Sequence, residues 1–117
     1  MKLPRGWIRT DDLQWRRDLN STEFQLVEVR DYPDGYYVVE ATISLEEYSE
    51  DDIYRYISGY YDSVSEIREQ YGDEANGVIA ECIFEQMGCE EMNNQIRLYD
   101  SEEEAERQAI CLINVLT

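Results

Sequence analysis

Asp62, Glu66, Glu69 and Asp73 follow one another at spacings of 4, 3 and 4 residues, which in a helix stacks four carboxylates along one line. At roughly 1.5 Å rise per residue the row is about 16 Å long, and neighbouring Cβ atoms stand roughly 5–6 Å apart. Duplex DNA presents a charge every ~3.4 Å along each strand, so the row is coarser than a duplex. It can still engage the Lys and Arg side chains that grip a nucleic-acid backbone. Tyr54 and Tyr61 fall on the flank between this line and the apolar stripe of the same helix, and Asp51 and Asp52 add charge near its start. Tyrosine beside carboxylate suits an arginine-rich partner, through cation–π contact and ion pairing together. The plain alternatives are a solvated helix face for the acids and strand or flank packing for the tyrosines.

The overall charge favours binding. The chain carries 27 Asp and Glu against 10 Lys and Arg, with no histidine, for a formal charge of −17 on 117 residues. Residues 1–17 are locally basic, with Lys2, Arg5, Arg9, Arg16 and Arg17 against Asp11 and Asp12, so the rest is more acidic still. Self-repulsion of this kind opposes a compact state, and it makes direct binding to nucleic acid or to an anionic membrane unfavourable. Apolar residues form 43% of the chain, enough for one globular core. No apolar run reaches the ~20 residues of a membrane span, and the first residues lack a signal-peptide apolar region. The expected location is the cytoplasm. Cys82, Cys89 and Cys111 have no zinc spacing and read as reduced thiols.

Enzyme chemistry has little to work with. Without histidine there is no Ser-His or Cys-His dyad and no common metal ligand. No glycine-rich phosphate loop or calcium-loop pattern occurs, and among 27 acids any carboxylate pair is expected by chance. The expectation is a non-enzymatic protein with no cofactor and no metal site.

These side chains must be positioned by a small α+β domain. Residues 1–22 read as a basic arm or short helix, and 23–117 as a single acidic domain. The stretch 23–44 reads as a β-hairpin, with Asp31-Tyr32-Pro33-Asp34-Gly35 as its turn. Ser49 with Asp52 resembles a capping box. From there Ile53, Ile57, Tyr60, Val64, Ile67 and Tyr71 repeat at helical spacing, predicting one amphipathic helix over about 49–71 that ends at Gly72, with Tyr60 and Tyr71 in the core. Gly59 inside it suggests a close approach by a neighbour. Residues 78–86 fit either helix or strand, and strand is preferred because Asn76-Gly77 reads as a break. Gly88 to Asn94 then reads as a loop, Gln95 to Tyr99 as a strand, and about 101–115 as a C-terminal helix capped by Ser101. The resulting order is β-β-α-β-β-α, an antiparallel sheet with both helices packed on one face.

In length, charge, absence of histidine, acidic rows and abundant tyrosine, the chain resembles the small acidic DNA-mimic inhibitors of phages and mobile elements, of the antirestriction and anti-CRISPR type. The resemblance is compositional and covers no aligned motif. It implies an inhibitor that occupies the Lys/Arg-lined groove of a basic nucleic-acid-binding protein such as a Cas effector or restriction nuclease. Two other readings stand beside it: an acidic immunity or regulatory protein that neutralises one basic partner, and a soluble domain with no basic partner. A homodimer is a further option, if the basic start with Trp7 and Trp15 docks on a neighbour's acidic body.

Overall fold

The computed structural model describes residues 3–87 and 97–117. Four strands come first: β1 (Trp7–Asp11), β2 (Gln14–Asp18), β3 (Glu23–Tyr32) and β4 (Gly35–Ser44). They form an antiparallel meander in the order β1-β2-β3-β4. The helices of the described residues follow: α1 (Glu50–Ile57), α2 (Val64–Tyr71), α3 (Ala75–Gln86) and α4 (Glu102–Leu116). The fold is therefore α+β, as expected, but among the described residues the four strands precede the helices, in place of the order β-β-α-β-β-α.

The hairpin expected over 23–44 is present, paired from Glu23↔Ser44 to Tyr32↔Gly35 around Pro33 and Asp34. Its glycine serves a close approach. Tyr36 and Tyr99 exchange backbone hydrogen bonds of 3.0 and 2.7 Å, and a Cβ on Gly35 would stand 2.6 Å from the Tyr99 carbonyl oxygen. Of the strand expected over Gln95–Tyr99, the described residues 97–99 show this single bridge at Tyr99 and no strand; the loop expected over Gly88–Asn94 lies outside the described residues.

Residues 7–18, expected to be an arm or short helix, instead form the β1–β2 hairpin at the sheet edge. Trp7 and Trp15 of this hairpin are buried within their own chain. The sequence misleads here because charge alternates with charge. Arg16 is only 3% exposed, whereas arginine ordinarily marks an outer face.

Both helices were expected on one face of the sheet, and this too is corrected. Leu26 and Val27 are adjacent in β3, point to opposite faces and are both fully buried. A sheet apolar on both sides needs a cover on each. On one side Phe24, Leu26, Val39 and Ile43 pack with Ile79, Ile83 and Phe84 of α3, and α1 and α2 add Ile57 and Ile67. On the other, Trp7, Trp15, Val27 and Val29 pack against Ala105, Ala109, Ile110 and Ile113 of α4.

The long helix expected over 49–71 is two helices. Ser49 and Asp52 do form a capping box at the start of α1. After Ile57 the chain turns, and Ser63 caps α2 by accepting from the Glu66 amide, while the Glu66 carboxylate accepts from the Asp62 amide. A second N-cap inside one apolar periodicity satisfies freed backbone donors, so the stripe continues through a break in the backbone. Gly59 lies in this turn with no neighbour near its Cβ position, so the close approach inferred for it is absent. Tyr60 is 60% exposed and not core, and Tyr71 is half-buried. Gly72 ends α2 at φ 57°.

The strand preferred for 78–86 is α3. Its residues are apolar on the side toward the sheet and on the side toward α1 and α2, with seven of its twelve residues buried. A helix covered on both sides reads as a continuous apolar run, which periodicity alone does not distinguish from a strand.

Arginines sit inside this layered structure. The Arg16 guanidinium donates from Nε to Asp18 at 2.8 Å, from Nη1 to Glu81 at 3.2 Å and from Nη2 to Glu74 at 3.1 Å. Gly77 of α3 makes room for it, since a Cβ there would stand 2.5 Å from Nη1. Arg30 pairs with Glu28 at 2.6 Å and donates to the Phe84 and Met87 carbonyls at the end of α3, each at 2.7 Å. This satisfies orphan carbonyls with a cation at the negative end of the helix.

Candidate functional site

The segment from Glu46 to Glu74 carries ten of the 27 acids. Glu46, Glu47, Glu50, Asp51, Asp62, Glu66, Glu69, Asp73 and Glu74 are exposed and Asp52 is half-buried, with only Arg55 and Arg68 as cations. The reason is architectural. Ile57 is the one buried residue of α1 and Ile67 the one buried residue of α2. Both helices rest on the core by a narrow stripe that Ile53, Tyr56, Val64 and Tyr71 flank with partial burial, and the acids other than Asp52 face solvent.

The expected four-carboxylate line is not a single helical row. Asp62 lies in the turn before α2, Glu66 and Glu69 lie on α2, and Asp73 lies in the short 3-10 turn that follows. Glu66 is partly committed to capping through the Asp62 amide at 2.8 Å. Glu69 and Asp73 make no described hydrogen bond or ion pair and are open to a partner's cation.

Asp51 and Tyr54 are brought together. With Glu46, Glu50 and Arg68 they line a groove of about 650 Å3 between α1 and α2. Tyr54 is 52% exposed, in line with its expected place on a helix flank. Asp52 is elsewhere. It pairs with Arg55 and accepts from the Ser49 amide, and its hydrogen bonds with Ser49, followed by the Arg55 charge, hold its carboxyl below the usual range.

Tyr61 belongs to a second cleft, of about 420 Å3. The turn contributes Tyr60 and Tyr61, α2 contributes Tyr71, α3 contributes Glu81 and Glu85, and the β1–β2 corner contributes Asp11. The Tyr61 and Tyr71 hydroxyls lie 3.0 Å apart and their rings meet edge to face. That bond, followed by burial, raises the Tyr61 hydroxyl to about 12.

Below this cleft the Gln14 side-chain amide donates to Glu28 at 3.1 Å and to Glu85 at 2.6 Å, while its oxygen accepts from Thr10 at 2.8 Å. Burial, then the proximity of Glu85, pushes Glu28 up to about 7 against the opposing pull of Arg30. Burial also raises Glu81, opposed by the charge of Arg16. Cys82 rises to about 11, chiefly by burial, so its thiol is protonated and a poor nucleophile at neutral pH.

Sequence reasoning missed Asp11, Glu81 and Glu85 as neighbours of Tyr61. Glu81 and Glu85 stand four residues apart, a signal that becomes a shared helix face only once 78–86 is read as helical. Asp11 needed the β1–β2 hairpin. Among the described residues, no group of three or more Asp, Glu or Cys side chains is placed to hold a metal ion, and no helix is long and apolar enough to cross a membrane.

No family model, curated protein or solved structure matches the chain.

Proposed function

We propose that this protein is a non-enzymatic acidic binding protein that occupies the Lys/Arg-lined nucleic-acid groove of a basic protein such as a Cas effector or restriction nuclease, with the α1–α2 layer as its contact surface. The supporting observation is how the two signs of charge are distributed. Arg16 is buried, Arg30 is turned onto the end of α3, and Arg17 lies over Trp7 with its guanidinium toward the Leu116 carbonyl of α4. Three of the ten cations are thereby drawn into the packing, while the carboxylates of α1 and α2 stay outside. In the segment from Glu46 to Glu74 this leaves ten acids with Arg55 and Arg68 as the only cations of the segment, a negative outer layer. Such a field accelerates encounter with a cationic groove at low salt.

The immunity-type reading, one cognate basic partner without imitation of a duplex, is favoured by the break between α1 and α2. That break removes the even spacing a duplex copy would use. Competition against labelled DNA on a panel of nucleases separates the two. Displacement from several nucleases that weakens between about 50 and about 200 mM salt supports groove occupancy. Tight, salt-tolerant binding to a single basic protein supports the second reading, and indifference of every basic protein tried removes both. Charge reversal at Asp51, Glu69 and Asp73 suits this assay, since these side chains have no described ion pair to lose. Each is expected to weaken displacement while the circular dichroism spectrum is unchanged.

A further inference from the structure

We propose that the cleft between Tyr60, Tyr61 and Tyr71 on one side and Asp11, Glu81 and Glu85 on the other receives a single arginine side chain of the basic partner. The inference rests on the partner-binding reading above and names the group recognised. Aromatic faces and carboxylates line the same cavity, and its volume of about 420 Å3 lies in the range of pockets that enclose small ligands.

The chemistry of the lining selects the occupant. An anion would meet three carboxylates, and an apolar group would leave them desolvated without a partner. A metal ion would need ligands that converge, and no such set occurs among the described residues. A guanidinium meets both walls, because it stacks on tyrosine faces and donates in its plane to carboxylate oxygens. The cleft also lacks an internal cation for part of its charge. Arg16, which reaches Glu81, is fully engaged with three carboxylates. Glu85 accepts from the neutral Gln14 amide and neighbours the Glu28 carboxyl, so no described cation balances it, and the described contact of Asp11 is with the Asp12 amide. Tyr60, 60% exposed, stands at the edge of the cleft and makes no described side-chain contact.

The test titrates the whole chain with a short peptide carrying one central arginine, and with the matched lysine peptide, by calorimetry and by amide chemical shifts. The expected result is arginine binding about fivefold or more tighter than lysine, with shifts centred on residues 60–61, 71 and 81–85. Tyr60→Ala should weaken the arginine peptide about fivefold with unchanged melting, and Glu85→Gln should weaken it by a similar factor, while Val115→Ala, on the exposed side of α4, leaves it unaltered. Equal affinity for the two peptides, retention of affinity in Tyr60→Ala, or shifts spread over α1 and α2 would overturn the assignment. The broader reading fails separately, through loss of nuclease competition. If reversals at Asp51, Glu69 and Asp73 abolish that competition while Tyr60→Ala leaves it intact, the cleft is refuted and the acidic layer stands.

Discussion

On the face covered by α4, two tryptophans close on alanines and isoleucines; on the face covered by α3, two arginines close on carboxylates and helix-end carbonyls. The first is an apolar contact, with Trp15 1% exposed and the Trp7 indole nitrogen donating to Thr117 at 2.9 Å. The second has a full apolar core as well, but along α3 it adds polar contacts fixed by direction: Arg16 to Asp18, Glu74 and Glu81, and Arg30 to Glu28, Phe84 and Met87. Apolar burial scales with area and tolerates sliding, whereas charged hydrogen bonds tolerate little misplacement. The contrast shows where a very acidic chain spends its few cations: they set the position of α3, and α1 and α2 stand on α3. The surface proposed for partner binding is thus indexed to the sheet through Arg16 and Arg30.

Four measurements would break or sharpen this contrast. The largest effect is expected on the apolar face. Trp15→Ala should cost about 3–5 kcal/mol in denaturant unfolding, and a cost below about 2 kcal/mol would mean that the α4 face contributes far less than its burial implies. On the polar face, Arg16→Met should cost about 3 kcal/mol at neutral pH, because Glu81 is left without its cation in a half-buried site. That cost should shrink as pH falls and the three carboxylates protonate.

Gly77→Ala is the sharper probe of the Arg16 seat. Alanine favours the helix by about 1 kcal/mol, yet its Cβ would stand 2.5 Å from Arg16 Nη1. A net loss of about 1–2 kcal/mol is expected. In an Arg16→Met background the same substitution should become neutral or stabilising, a non-additivity read from the double-mutant cycle.

The smallest effect concerns Glu28. Its carboxyl, raised to about 7 in the folded state, holds a proton that the unfolded chain releases near its ordinary value of 4.5. The resulting stability is fully present below about pH 4.5 and is lost as pH rises through about 7. Glu28→Gln removes that dependence. Relative to wild type, it should therefore gain stability between pH 5 and pH 8, by on the order of 1 kcal/mol given the solvent-facing side of the pair. A flat difference across that range would place the Glu28–Glu85 pair in a more hydrated setting than described.

What could be read from the sequence follows the same contrast. The β3–β4 hairpin, the caps at Ser49 and Ser101 and the extent of α4 were legible, because local turn chemistry and simple periodicity decide them. The β1–β2 hairpin and α3 were not. In the hairpin, Gln14 and Arg16 occupy buried positions that only a distant helix can justify; in α3, cover on two sides hides the helical period. Of the candidate site, the exposure of Asp51, Tyr54, Glu66 and Glu69 followed from helix geometry, whereas Asp62 and Asp73 are exposed in the turns on either side of α2. The meeting of Tyr61 with Glu81 and Glu85 depends on the turn at 58–63 and on α3, both of which are tertiary outcomes.

The chain has two tryptophans, and both lie beneath α4. Indole emission is consequently a built-in optical reporter for one side of the sheet. It should shift to longer wavelength when α4 lifts away, and stay silent while α1, α2 and α3 loosen on the far side. Refolding followed by emission alone would time the seating of the last helix, not the assembly of the acidic layer. A second probe on α1 or α2 would be needed to see whether the two events coincide.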